Sequence, residues 1–306
     1  MRKSKIRWLC EWVVVIGLGL LLYRFIKKDS LIVAINRSLP YEEAGVLRGM
    51  ILGDKEGLGR ELYEGLKKSG LVHLVVASGA NVMLLTRIII EGLAGFLGRK
   101  KTIVLALVMV WGYAGMVEWQ APILRAAILV SVFYWSQILG RRFDVGRGLG
   151  LTVVIMLLAW SEWVGEVGFW LSLLAFMGVI TRQSRISNFK LQIVDDLMTT
   201  VWVGVWVTPV LALVFGQISL IAPITNTMVV FLVEYITIVG SIGVVVGLGW
   251  AWVGEKIVWL VLPALKYVVW VAENLGWGAV GIKFNWPMLV GWYLILGWWL
   301  ARRHEK

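Results

Sequence analysis

The sequence predicts an all-α fold: a polytopic transmembrane helical bundle with broken helices. Three observations predict it. Apolar residues fill 59% of the 306 positions, with a mean hydropathy of +0.80; soluble domains hold roughly 45–50%. The apolar residues gather into long runs. Lys and Arg gather between alternate runs, as they do on the cytoplasmic side of membrane proteins.

The first run, Trp8–Ile26, follows a basic start of Arg2, Lys3, Lys5 and Arg7. A cleaved signal peptide is disfavoured, because no small-residue cleavage site precedes Arg24 and Glu11 interrupts the core. Residues 1–26 are therefore read as a retained transmembrane anchor. Residues 27–70 read as an extracytoplasmic loop. Within it Leu58, Leu62 and Leu66 share one helical stripe, while Glu56, Arg60, Glu61, Glu64, Lys67 and Lys68 take other faces. This is an amphipathic helix, lying on the outer membrane surface or serving as a plain connector; spacing alone does not choose. Residues 71–306 form one polytopic domain, with runs such as Leu71–Leu97, Leu105–Val117, Val201–Phe215 and Met228–Val253. At ~20 residues per crossing the whole chain accommodates roughly eight to ten membrane segments.

Charge sets the expected topology. After the first run, basic clusters recur at Arg99–Lys101, Arg141–Arg147, Arg182–Lys190 and Arg302–Lys306, each separated from the next by an even number of crossings. The intervening turns at Glu118–Pro122 and Ser161–Gly165 carry neither Lys nor Arg. All the clusters, and both termini, then face the cytoplasm. Most of the net charge of +11 is thereby topological and is weak evidence for nucleic acid.

Several chemistries are disfavoured. Cys10 is the single cysteine and His73 and His304 are the two histidines, which leaves no cysteine- or histidine-rich metal site. There is no Gly-rich phosphate loop, so neither a cofactor nor an enzymatic activity is expected. The 19 tryptophans, Trp119, Trp286, Trp298 and Trp299 among them, read as interfacial belts more readily than as base-stacking platforms.

Polar residues at membrane depth are the functional candidates. The densest group is His73, Ser78, Gly79 and Asn81, inside the run that begins at Leu71. Ser78-Gly79 is a helix break, and a break at membrane depth must face protein or a water-filled cavity. Ser78 and Asn81 could equally cap or join neighbouring helices. A second group is Gln120-Ala121-Pro122-Ile123-Leu124-Arg125, with Pro122 suited to a first turn. Arg125 either snorkels to the interface or pairs with a carboxylate such as Glu118 or Glu166. Phe169 and Ser172 open a third helix, and Asn226 lies near the start of a fourth, as an N-cap or a pore-lining amide.

The order of these signals is more specific than any one of them. Gly49-Met50-Ile51-Leu52-Gly53-Asp54, Ser69-Gly70-Leu71-Val72-His73-Leu74 and Ala77-Ser78-Gly79-Ala80-Asn81-Val82 are followed by Leu124-Arg125-Ala126 and Gly140-Arg141-Arg142. Val167-Gly168-Phe169-Trp170-Leu171-Ser172, Thr208-Pro209, Phe215-Gly216-Gln217-Ile218-Ser219 and Ala222-Pro223-Ile224-Thr225-Asn226 complete the set. From about Ala44 to at least Gly240 the chain resembles the membrane domain of ComEC-type competence proteins. Asn81 stands where that family usually has histidine, and Ala80 where it has leucine. The family's oligonucleotide-binding and metallo-β-lactamase-like domains have no counterpart in these residues.

The resemblance implies an inner-membrane channel that takes up single-stranded DNA in natural transformation. Candidate path residues are His73, Ser78, Gly79, Asn81, Arg125, Phe169, Ser172 and Asn226. The expected partners are single-stranded DNA, the lipid bilayer, separate DNA-receptor, nuclease and helicase proteins, and further copies of the chain in a homo-oligomer. The expected location is the bacterial cytoplasmic membrane. The alternatives are a small-molecule or ion transporter and a non-transporting membrane scaffold.

Overall fold

A computed structural model describes residues 28–159, 165–182, 189–282 and 284–304. The anchor at 1–26 lies outside the described residues. In chain order the helices begin with α1 (Lys28–Ser38), α2 (Tyr41–Leu52), α3 (Arg60–Ser69), the single turn α4 (Val72–Val75) and α5 (Gly79–Leu97). There follow α6 (Arg99–Met116), α7 (Ala121–Ile138), α8 (Val145–Ala159), α9 (Val167–Arg182) and α10 (Phe189–Phe215). The chain ends with α11 (Ala222–Gly249), α12 (Ala251–Trp259), α13 (Leu262–Asn274) and α14 (Trp286–His304). One departure from all-helix is an antiparallel ribbon, β1 (Gln217–Ser219) paired with β2 (Ala279–Gly281).

Among the described residues four helical stretches are long and apolar enough to cross a bilayer: α5, α7, Met198–Phe215 of α10, and α11. A fifth crossing arises if α12 and α13, bent by 48° at their junction, are counted as one broken span. The other helices fall short for local reasons. α6 opens on Arg99, Lys100 and Lys101, and α8 and α9 are only 15 and 16 residues long against the ~20 of a full crossing.

The described residues form two compact units. The first takes the described residues within Met1–Gly59, His73–Trp163 and Leu232–Val269; the second takes those within Arg60–Val72, Val164–Phe231 and Trp270–Lys306. The segment 27–70, read from the sequence as one loop, is therefore divided between the two.

In the first unit α2 is central. It enters after Pro40 and carries Glu42 and Glu43 in its first turn, where the helix dipole favours acids. It stops at Gly53, whose φ of 67° is the left-handed C-cap conformation that glycine adopts without strain. Arg48 pairs with Asp54 just beyond the cap, with both side chains largely covered. A Cβ on Gly49 would collide with the Val75 carbonyl, so only glycine allows the chain near α4 to pass this close. On α11, a Cβ at Gly240 would lie 2.7 Å from Leu47 Cδ1, again a backbone approach made by the missing side chain. Further along, Gly243 and Gly247 receive Gly254 of α12, the small-residue packing common between membrane helices.

In the second unit α3 buries Leu62 and Leu66. The amphipathic stripe expected from the sequence is thus present, but it is covered by protein. α3 ends at Ser69, whose carbonyl accepts from Thr225 Oγ1 of α11 at 2.7 Å. Gly70 follows with φ 80°, and any Cβ there would strike Ala222. α9 and α10 pack so that a Cβ on Gly178 would lie 3.0 Å from Val203 Cα. α14 is fastened to α10 by Tyr293 and Trp292, which donate to the carbonyls of Trp206 and Val205.

Candidate functional site

The break expected at Ser78-Gly79 is present. α4 ends at Val75, three residues run without helix, and α5 begins at Gly79. Ser78 takes the N-cap position in extended conformation, but its hydroxyl makes no cap bond. A Cβ on Gly79 would stand 3.2 Å from Ala126 Cβ and 3.7 Å from the Pro122 carbonyl. The start of α5 therefore rests on the first turns of α7.

Asn81 is buried, and its amide is committed to the fold. Nδ2 donates to the Met50 carbonyl at 2.6 Å and approaches Tyr113 Oη at 3.3 Å. Tyr113 Oη in turn donates to the Ile51 carbonyl at 3.1 Å. Gln120 Nε2 donates to the Gly53 carbonyl at 3.1 Å, and the Ala77 amide to that of Gly49 at 2.9 Å. The last carbonyls of a helix have no partner within it. Here four separate elements supply partners for the end of α2. Asn81 thus makes the interhelical bonds expected of helix glue, one of the roles that its residue type allowed. Tyr113 escaped sequence reasoning, although a lone phenol in the apolar run Leu105–Val117 is a signal, since a buried hydroxyl needs a partner.

The turn from α6 to α7 is unusual. Glu118 and Trp119 both have positive φ, 58° and 57°, a conformation that costs non-glycine residues roughly 1–2 kcal/mol each. Their amides close on Gly115 and Ala114 at 2.9 Å. Glu118 is an ion-pair partner of Lys28 at 2.6 Å, not of Arg125. α7 then starts at Ala121, with Pro122 in its first turn as the sequence requires.

Arg125 lies one turn inside α7, within an apolar spanning segment. Its Nη1 is enclosed and has no hydrogen-bond partner among the described residues. Both amino ends that meet here, those of α5 and α7, lack an acidic residue in the first turn and a side-chain cap bond.

The remaining candidates are placed differently. His73 sits on α4 with its side chain exposed. In the second unit Phe169 is buried against Trp170, ring centroids 5.5 Å apart and edge to face, which makes it core. Ser172 donates to the Phe169 carbonyl at 2.9 Å and so serves its own helix. Asn226 is buried and lies one turn into α11, past the N-cap position that the sequence offered it. Its Oδ1 has no partner among the described residues, nor do the enclosed Gln217 Nε2 and Ser219 Oγ. Among the described residues no three of His, Cys, Asp and Glu gather to hold a metal ion.

These features define a multi-pass membrane protein whose broken helices are rejoined by side chain to carbonyl bonds. The chain belongs to the Competence protein family, whose family model matches residues 50–306. It is similar to ComE operon protein 3 of Bacillus subtilis (strain 168), at 23% identity over 208 residues, covering 68% of this chain and 27% of that protein. The aligned part is thus about a quarter of that relative's length. No solved structure matches the chain.

Proposed function

We propose that the chain passes single-stranded DNA across the bacterial cytoplasmic membrane during natural transformation. The family match over residues 50–306 is the observation that carries this reading. The physical requirement is a hydrated path for a polyanion through an apolar slab. Broken helices with uncapped amino ends, and a cation without a counter-ion among the described residues, suit that requirement. Ser78 and Arg125 in the first unit, and Asn226 in the second, are the path candidates whose polar atoms the fold leaves uncommitted. His73 and Gly79 flank the same break. Asn81, Phe169 and Ser172 are engaged within their own units, Asn81 with the Met50 carbonyl, Phe169 against Trp170, and Ser172 with the Phe169 carbonyl.

From α5 to α14 the described residues hold nine helices, counting α12 and α13 together, of which four or five are long and apolar enough to cross. We take the shorter ones, with the anchor read from the sequence, as the remaining crossings, which gives eight to ten membrane segments and cytoplasmic termini. The chain itself makes no cut in DNA, and separate receptor, nuclease and helicase proteins complete the system. A strain deleted for the chain should lose internalisation of labelled DNA and regain it on complementation, with nutrient uptake unchanged. Intact DNA internalisation in the deletion strain would refute the channel. A selective loss of one solute instead would favour a small-molecule transporter, the reading that the broken pair α12–α13 also allows.

A further inference from the structure

The first unit contains an uncompensated positive centre. Arg125 carries a permanent charge, its Nη1 is enclosed, and it has no partner among the described residues. It sits near the amino end of its own helix, where the macrodipole places roughly half a positive charge and disfavours a cation. The amino end of α5 is a second positive pole, held against the same turns of α7 through Gly79 and Ala126. Glu118, seven positions before Arg125 in the chain, is engaged with Lys28, and Asp54, beyond the end of α2, with Arg48. The Asn81 amide and the Gln120 amide are turned to α2 carbonyls. Two uncapped helix ends and an arginine, with no anion paired to it among the described residues, constitute an arrangement that an external anion would stabilise. The left-handed pair Glu118-Trp119 stores strain in the turn that delivers α7 to this place, and such strain clusters at ligand clamps.

We propose that Arg125, with the amino-terminal turns of α5 and α7, binds a phosphodiester group. The guanidinium fork matches phosphate oxygens in two-point geometry. Pro122 has no N–H, and the amides of Asn81, Ile123 and Leu124 donate to the Ser78 and Gln120 carbonyls, so the further donors are the first amides, those of Gly79 and Ala80 on α5 and of Ala121 on α7. Phosphodiesters reach this depth of a membrane from two sources, a DNA strand and a lipid headgroup. The DNA source rests on the channel reading above; the anion chemistry does not.

The test uses the full chain purified in a phosphate-free maltoside detergent. Probes are labelled oligothymidylate, its uncharged methylphosphonate counterpart, and phosphatidylglycerol. For the DNA source, oligothymidylate should bind and the methylphosphonate should not. Arg125→Gln should weaken oligothymidylate binding about tenfold, and Arg125→Lys by less, since a point charge keeps the attraction but loses the fork. The slope of log affinity against log salt should fall by about 0.7 in Arg125→Gln. Ser78→Asp provides the variant that must fold: it adds a good N-cap to α5 while supplying an internal anion. It should melt no lower than the parent yet bind oligothymidylate about tenfold more weakly. If both variants leave oligothymidylate unaffected but release phosphatidylglycerol in native mass spectrometry, the site holds a lipid phosphodiester. Folded Arg125→Gln and Ser78→Asp proteins that bind both probes as the parent does would overturn the site. A deletion strain that still internalises DNA would instead sink the channel reading alone.

Discussion

The indole of Trp292 donates to the carbonyl of Val205 at 3.0 Å, across 87 positions of sequence. Val205 is four residues before Pro209, which lies inside α10 and has no N–H to offer it. In a membrane a carbonyl freed by proline must be satisfied by a neighbouring helix. α14 does this with Trp292, and Tyr293 adds a bond of 2.6 Å to the Trp206 carbonyl. Trp292→Phe should lower the stability of the detergent-solubilised chain by about 1–2 kcal/mol. In a Pro209→Ala background the helix supplies its own donor, and the same change should cost less. Equal losses in the two backgrounds would mean that the indole does not serve this carbonyl.

Asn81 should act on stability before it acts on transport. Asn81→Leu leaves the Met50 carbonyl without its donor and should cost about 1–3 kcal/mol, read as a lower melting temperature and lower membrane abundance. Asn81→His, which restores the residue usual in ComEC-type proteins, returns a donor and should recover most of that loss. DNA uptake should track abundance in both variants. An uptake defect far larger than the fall in abundance would put Asn81 on the path itself.

The charge pattern makes a prediction about sidedness. In a Cys10→Ser background, single cysteines at Arg99–Lys101, at Arg141–Arg147 and near either terminus should resist impermeant thiol reagents in intact cells. They should react once the membrane is opened. Labelling of the Arg141 loop from outside would reverse the topology.

Nuclease activity is expected to reside in another protein. The purified chain should leave DNA intact with magnesium, manganese or zinc present. Metal-dependent cleavage that co-purifies with the chain and disappears on substitution of one of its own residues would identify a catalytic site among its side chains.

Much of the architecture was legible locally. Leu71–Leu97 contains a break at Ser78-Gly79 because serine and glycine interrupt an apolar run, and α5 starts there. Pro122 marks the start of α7, since its backbone preference needs no distant partner, whereas α1 and α2, within the segment read as a loop, were not anticipated. The leucine stripe of α3 was visible as periodicity, but its covering was not, because period reports a face and not what lies against it. The membrane count read from apolar runs exceeds the four or five full-length spans among the described residues: α6, α8 and α9 are apolar, yet charge or length keeps them short of a full crossing.

Sequence by itself determined that this chain is a helical membrane protein, which motifs order it, and which polar residues stand inside apolar runs. Those properties follow from composition and spacing, which act over a few turns of chain. Only the tertiary structure decided what each polar group does. Asn81 reaches a carbonyl 31 positions away and Lys28 claims Glu118 across 90 positions, while Arg125 meets no acid among the described residues. Hydrogen-bond and charge partners are chosen by which surfaces packing brings together, and in an apolar medium each unmet group is costly enough to make that choice consequential.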